Sequence, residues 1–299
     1  MTLPNFLVIG SGRSGTTSLH HYLGQHPDIY VPAVKEPNFF TFTGREIIAD
    51  NRIDQWIRQN SITDLAAYEA LFDSATSERA IGEVSPQYMY TRRAPERIKA
   101  LIPQARLIAI LRNPVDRAYA AYISRMGSGW ETRTDFRSAI SEEVRRIREN
   151  VRRGSYNYRS SGHYVPHLAR YLESFDRDQL GVYLFEEFRR DPDVVLRDIF
   201  NFLGVDDGFR PDTRIRHNPT GLIHNPVLRE LWRRSDAPRR LVRPLLSKPL
   251  RDATFQWLHR NVYKPPIPPD VRRELIDYYR PGIHDLERLL DRDLSFWLE

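Results

Sequence analysis

There is no cysteine among the 299 residues of the chain. That removes disulfides, thiolate metal sites and a cysteine nucleophile together. No apolar run approaches the ~20 residues a helix needs to cross a bilayer. Met1-Thr2-Leu3-Pro4 leads straight into a short apolar stretch, without the basic and then hydrophobic region of a secretion signal. The chain therefore reads as cytoplasmic. Lysine is scarce: Lys35, Lys99, Lys248 and Lys264 are four of the 45 basic residues, so arginine carries nearly all the positive charge. Arginine favours forked contacts to phosphate, sulfate and carboxylate. A formal net charge of +6 fits an acidic ligand. Acidic and basic residues are interspersed, and no RNA-binding signature is present, so a nucleic-acid partner is not expected. Internal repeats and low-complexity segments are also missing.

What is there is concentrated in residues 5–19, Asn-Phe-Leu-Val-Ile-Gly-Ser-Gly-Arg-Ser-Gly-Thr-Thr-Ser-Leu. The apolar run Phe6–Ile9 is too short for a buried helix and breaks at Gly10-Ser11-Gly12. A helical pattern of Leu19, Tyr22 and Leu23 follows Gly15-Thr16-Thr17. The order is strand, glycine-rich turn, helix. Glycines let the backbone turn sharply against a ligand, and the unpaired first-turn amides of the helix carry partial positive charge. The product is an anion cradle over Ser11, Gly12, Arg13, Ser14, Gly15, Thr16 and Thr17. A nucleoside-triphosphate loop would place lysine where Thr16 stands. Here the strong cation is Arg13, inside the loop, which suits a phosphate whose leaving oxygen needs one positive charge. An ATP-dependent kinase, or a nucleotide- or RNA-binding module without catalysis, remain the alternatives.

Gly12-Arg13-Ser14-Gly15-Thr16-Thr17-Ser18-Leu19, then His26-Pro27-Asp28-Ile29 and Lys35-Glu36-Pro37-Asn38-Phe39-Phe40, resemble the sulfotransferases that use 3′-phosphoadenosine-5′-phosphosulfate (PAPS), in their bacterial and glycosaminoglycan-type branch. The resemblance implies an α/β fold of the P-loop nucleotide-binding type, with a central parallel sheet and helices on both faces. It implies sulfuryl transfer to a hydroxyl, less readily an amine, of a carbohydrate or natural-product acceptor, with release of adenosine 3′,5′-bisphosphate and no metal. One domain over 1–299 is expected, with 41–80 an acceptor-side insertion and 211–299 a C-terminal loop and helical extension. Relatives usually carry lysine where this chain has Arg13. They use the glutamate before the Phe-Phe pair, here Glu36, to deprotonate the acceptor. The plainer reading of Glu36 is a surface ion pair with Lys35, which is itself a candidate for the reacting centre. In Glu83-Val84-Ser85-Pro86 the resemblance places lysine at Val84, against the transferred group, which leaves Arg13 or Lys35 to supply that charge.

Arg106–Leu111 is a continuous apolar run, as a parallel strand covered on both faces shows. Arg112 ends it, at the strand terminus where open parallel sheets bind ligands. The run Arg112-Asn113-Pro114-Val115-Asp116-Arg117-Ala118-Tyr119 resembles the family's 3′-phosphate motif, in which arginine shares that phosphate with a serine eight residues later. Position 120 is alanine, and Ser124, one helical turn on, is the substitute. Arg216, His217 and Gly221 fall where relatives cover the cofactor. His26 reads as a turn-holding residue, and His163 is the reserve candidate for the base. Trp56 and Tyr68 are candidates to stack on the acceptor. Further expectations are a short helix over Asp64–Phe72, a mobile glycine-rich stretch over Met126–Trp130, a strand over Gln179–Glu186, and helices from Asp191 and after Pro269.

Overall fold

Phe6–Gly10 places no polar side chain in the core, and all five of its residues are buried, as strand β1. The computed structural model describes residues 2–44, 52–149, 157–214, 221–223 and 262–299. After β1 come helix α1 (Thr16–Leu23), β2 (Ile29–Tyr30), the helical turn α2 (Phe39–Phe42), α3 (Arg52–Asn60), α4 (Leu65–Glu69), β3 (Ala80–Val84) and α5 (Ala94–Leu101). Then follow β4 (Arg106–Leu111), α6 (Pro114–Gly127), α7 (Phe136–Arg148), α8 (Tyr164–Leu172), β5 (Leu180–Leu184), α9 (Phe185–Arg190) and α10 (Pro192–Leu203). The two-residue strands β6 (Leu222–Ile223) and β7 (Val262–Tyr263) follow, then helix α11 (Pro269–Leu290) and a closing 3-10 turn, Ser295–Leu298.

The five strands β2-β3-β1-β4-β5 form one sheet in that order, and every pairing is parallel. Alternation along the strands separates two cores. Phe6, Val8, Ile108 and Ile110 face α1 and α10. Leu7, Ile9, Leu107, Ala109 and Leu111 face α5, α6, α8 and α11. Helices thus cover both faces, as expected. The chain leaves β1 for one side of the sheet and crosses from β3 to β4 on the other. The carboxyl ends of β1 and β4 therefore form the switch point where ligands of such sheets bind.

Local chemistry accounts for the element ends. Asn113 accepts the amides of Val115 and Asp116 at 3.0 and 3.3 Å, and Pro114 occupies the first turn, so α6 starts immediately after Arg112. Helix α6 continues to Gly127, so the stretch expected to be mobile begins inside a helix, and the Trp130 amide donates to the Arg125 carbonyl at 2.9 Å. The strand expected through Glu186 ends at Leu184, because Glu186 accepts the Asn113 amide at 3.0 Å and fastens α9 across the sheet end. Asp64 caps α4, and Ala70–Phe72 is a separate 3-10 turn. The β6/β7 ribbon was not foreseen, since two-residue strands carry no period. Buried Val271, Leu275, Tyr279, Ile283, Leu286 and Leu290 form one stripe of α11. Among the described residues no helix is long and apolar enough to cross a membrane.

Gly82 in β3 lies against the ring of Phe6, where a Cβ would come within 2.5 Å. Gly82→Ala is expected to cost about 1–3 kcal/mol, an overpacking penalty that lowers the thermal midpoint by several degrees. The double variant with Phe6→Leu should recover part of it. Unchanged melting of Gly82→Ala, followed by circular dichroism, would contradict this packing.

Candidate active site

The glycine loop is clamped to β4. The Ser11 amide and hydroxyl both donate to the Ile110 carbonyl, at 2.8 and 3.0 Å, and the Ser11 and Ser14 hydroxyls are 2.6 Å apart. Arg13 (φ 72°) and Gly15 (φ 82°) take left-handed backbone conformations. A Cβ on Gly15 would also lie 3.1 Å from the Phe185 ring, so glycine is required there both for φ and for space. No side chain caps α1 and its first turn has no acidic residue, which leaves the amides around Thr16 and Thr17 directed at the mouth of the loop.

Arg112 joins this loop across the switch point. Its Nη1 donates to the Arg13 carbonyl at 3.0 Å, and its guanidinium lies 4.6 Å from the centre of the Phe185 ring. The Tyr164 hydroxyl donates to the Arg112 carbonyl at 2.7 Å. The Arg112 Nε is buried without a partner. Arg13 is half-buried and remains cationic at neutral pH, although burial first, and then the charges of Arg125 and Arg117, bring its pKa down to about 10; Glu36 opposes them.

Glu36 is within electrostatic reach of Arg13, on a segment that the sheet grips firmly. Glu36 (φ 61°) and Asn38 (φ 54°) are both left-handed without being glycine, which costs of order 1–3 kcal/mol each. The Glu36 amide donates to the Val84 carbonyl at 3.1 Å, and the Asn38 amide to the Ser85 hydroxyl at 3.1 Å. Asn38 Nδ2 donates to the Glu36 carbonyl at 2.8 Å. Lys35 and Glu36 form an ion pair, with the Glu36 side chain 41% exposed and Lys35 17%. The surface-pair reading and the position next to the loop cation are both present.

The remaining candidates separate. Trp56 is exposed and meets Trp130 edge-on at 5.8 Å; Arg125 stacks on Trp130 at 4.7 Å. The Ile62 amide donates to the Pro37 carbonyl at 2.8 Å, which ties the insertion to the Glu36 segment. Tyr68 is no stacking platform: it is fully buried, parallel to Phe39 at 4.2 Å, because Phe39, Phe40 and Phe72 enclose its ring. His26 holds its turn, accepting the Asp28 amide at 3.0 Å and donating from Nε2 to the Asp206 carbonyl at 2.8 Å. His163 hydrogen-bonds Tyr278 at 3.0 Å and packs on Tyr279, so the structure pairs it with α11 rather than with Glu36. Ser124 is in α6 one turn past the buried Ala120, about 6 Å farther from Arg112 along the axis, and is not joined to it. Gly221 is placed against Gly127 at the far end of α6, its carbonyl 3.5 Å from where a Cβ on Gly127 would stand. Arg216 and His217 lie outside the described residues. Among the described residues no three His, Asp or Glu side chains are placed to hold a metal ion.

Residues 4–209, more than half of the chain, match the sulfotransferase family. The chain belongs to that family. It is 34% identical to a sulfotransferase from Alicyclobacillus acidocaldarius, whose crystal structure superposes with a TM-score of 0.77 over 100% of both chains. It is 26% identical, over 98% of its own length and 65% of the relative's, to mouse heparan sulfate glucosamine 3-O-sulfotransferase 3B1. Over 68% of its length it is 30% identical to human bifunctional heparan sulfate N-deacetylase/N-sulfotransferase 3, of which it spans 22%. The matched N-deacetylase/N-sulfotransferases are thus several times longer than the aligned part.

The candidate site is bordered by three groups that sequence reasoning passed over. Arg117 is buried in α6 and donates to the Tyr158 carbonyl; burial opposes its charge, but Tyr90, Tyr164, Tyr279 and Glu143 around it favour that charge overall. Arg125 is the second cation bearing on Arg13. Their signal was their place on α6, five and thirteen residues after Arg112. The third is Glu83, which is fully buried under the Glu36 segment. It accepts the Tyr88 hydroxyl at 2.6 Å and the Tyr68 hydroxyl at 3.3 Å, while its Oε2 is unpartnered. Burial raises its pKa to about 7, against the opposing hydrogen bonds and the Lys35 charge.

A carboxyl raised from 4.5 to about 7 favours the fold while it is protonated, and that advantage is lost as pH rises between those values. The loss totals about 3 kcal/mol. Glu83→Gln has no such dependence. The melting temperature of the natural enzyme should therefore fall relative to that of Glu83→Gln between about pH 5 and pH 7. Parallel curves would show that Glu83 is ionised in the fold without cost.

Proposed function

We propose that this sulfotransferase moves a sulfuryl group from PAPS to a hydroxyl, less readily an amine, of a carbohydrate or natural-product acceptor and releases adenosine 3′,5′-bisphosphate. The observation that carries the reading is the bracing of Arg112 against the Arg13 loop at the carboxyl ends of β1 and β4, with Glu36 held at the adjoining end of β3. The residues fit such a donor: an uncapped helix start faces one phosphate, and Arg112 presents an unpartnered buried Nε toward a second.

The roles follow from charge and reach. PAPS supplies an activated sulfuryl group on a phosphate leaving group. Glu36 takes the acceptor proton as the acceptor oxygen bonds to sulfur. The sulfur–oxygen bond to the 5′-phosphate breaks, and its electron pair leaves with the bridging oxygen. Arg13 and the amides of residues 14–17 face that developing charge. Lys35 pairs with Glu36 and, because Val84 is apolar and buried, shares with Arg13 the task of meeting the sulfuryl oxygens. The relatives named for heparan sulfate support a carbohydrate acceptor, and exposed Trp56, on the insertion that Ile62 ties to Pro37, offers the face of a pyranose a wall. The same reading treats 1–299 as one sulfotransferase domain, with the 41–80 insertion bordering the acceptor.

Calorimetric titration should show tight binding of adenosine 3′,5′-bisphosphate and weak binding of ATP with magnesium. The reverse order would make a kinase the better reading. Glu36→Gln should lower turnover at least ~100-fold, the scale of general-base catalysis, and leave bisphosphate affinity within about twofold. Normal turnover with weakened nucleotide binding would remove Glu36 from the role of base.

A further inference from the structure

The peptide that joins Arg112 to Asn113 lies one step past Leu111, where the register of β4 with β5 stops. The sheet no longer supports it, yet both of its polar atoms are held. Its carbonyl accepts the Tyr164 hydroxyl of α8 at 2.7 Å, and its amide, that of Asn113, donates to Glu186 Oε1 of α9 at 3.0 Å. The Asn113 side chain is engaged at both ends as well. Its Oδ1 caps α6, and its Nδ2 donates to the Trp297 carbonyl at 3.1 Å. Arg112 therefore springs from a fixed main chain.

Trp297 stands behind this junction. It is fully buried, and its ring centre lies 6.2 Å from that of Tyr164. The turn that carries it is itself fastened. Asp291 ends α11 in a left-handed conformation (φ 52°), the Leu294 amide donates to Glu287 Oε1 at 2.9 Å, and Arg292 pairs with Glu187 of α9. Arg272 of α11 reaches Asp116 of α6 at 3.1 Å and the main-chain oxygen of Glu299 at 3.2 Å. The Ser295–Leu298 turn is thus bound to α6, α9 and α11 together. A fully buried ring has no surface to offer a ligand, so any effect of Trp297 on the nucleotide passes through Asn113 and Tyr164.

A guanidinium sits at the end of a long flexible stem, and ordering such a stem on binding costs affinity. A stem rooted in a main chain that is already fixed has less freedom left to lose. We propose that Trp297 is a positioning residue for the nucleotide: by locking Asn113 and Tyr164 it fixes the peptide after Arg112 and so aims the Arg112 guanidinium before the nucleotide arrives. The inference rests on the donor reading above. It extends the site to a turn 184 residues from Asn113 along the chain.

The test is calorimetry with adenosine 3′,5′-bisphosphate, read as a double-mutant cycle. Arg112→Ala should weaken binding at least ~10-fold, the scale of a lost charge-assisted hydrogen bond. Trp297→Phe should weaken it about fivefold, within the factor that ordering one long side chain costs. In the Arg112→Ala background the same change should cost less than about twofold, because the group it aims is gone. Tyr164→Phe removes only the hydroxyl held on the Arg112 carbonyl. It should lose affinity with the same dependence on Arg112, and it reads the network if Trp297→Phe does not fold. Phe200→Leu, which trims a fully buried ring in the core on the other face of the sheet, should lower the melting temperature and leave affinity within about twofold. Losses that add to that of Arg112→Ala, no loss in the single variants, or an equal loss in Phe200→Leu would overturn the positioning role while the donor reading stands. Bisphosphate binding that is absent from the natural enzyme, or indifferent to Arg112→Ala, would overturn the donor reading, and this inference with it.

Discussion

The site depends on one seam, the line where β1 and β4 end side by side. The Ser11 amide and hydroxyl converge on the Ile110 carbonyl, and Arg112, two residues on, returns a guanidinium to the Arg13 carbonyl. Loop and strand end brace each other. An anion cradle made only of backbone amides is soft; fastened to a central strand buried on both faces, it becomes rigid. Rigidity matters because preorganised donors need no reorganisation when charge develops.

A second support holds the proposed base. Glu36 and Asn38 occupy strained backbone conformations that survive because the end of β3 over-determines them through Val84 and Ser85. Beneath them Glu83 draws Tyr88 and Tyr68 inward, and these rings pack Phe39 and Phe40. A buried carboxyl is an expensive anchor. Its use here accords with a segment that must hold one carboxylate beside a loop cation.

Positive charge is the recurrent currency of the molecule, and its distribution matters more than its amount. Arg145 pairs with Glu142 and Glu149 on the outer face of α7, and Arg146 with buried Glu131 within that helix's contacts. Arg13, Arg117 and Arg125 instead crowd one end of the sheet, and Arg112, Arg189, Arg272 and Lys264 crowd the adjoining edge. Crowded cations repel one another. The helices and the ribbon tolerate them because packing elsewhere, in two large apolar cores, supplies the stability.

The amino-acid sequence alone determined the strand-loop-helix at residues 6–23, the buried strand ending at Arg112, the capped helix that follows Asp191, and the α/β class. Each is written in local features: apolar runs of strand length, glycine where backbone must turn, and caps at helix starts. Family membership was legible for the same reason, since the motifs are contiguous. Only the tertiary structure decided that Glu36 comes within electrostatic reach of Arg13, that Tyr68 is enclosed by phenylalanines rather than offered to a ligand, and that His163 turns to α11. It also brought the Lys264 segment onto α6, in a contact between residues 147 apart in the chain. Such contacts follow from strand order and from which helices cover which face, and periodicity within a segment carries no information about either.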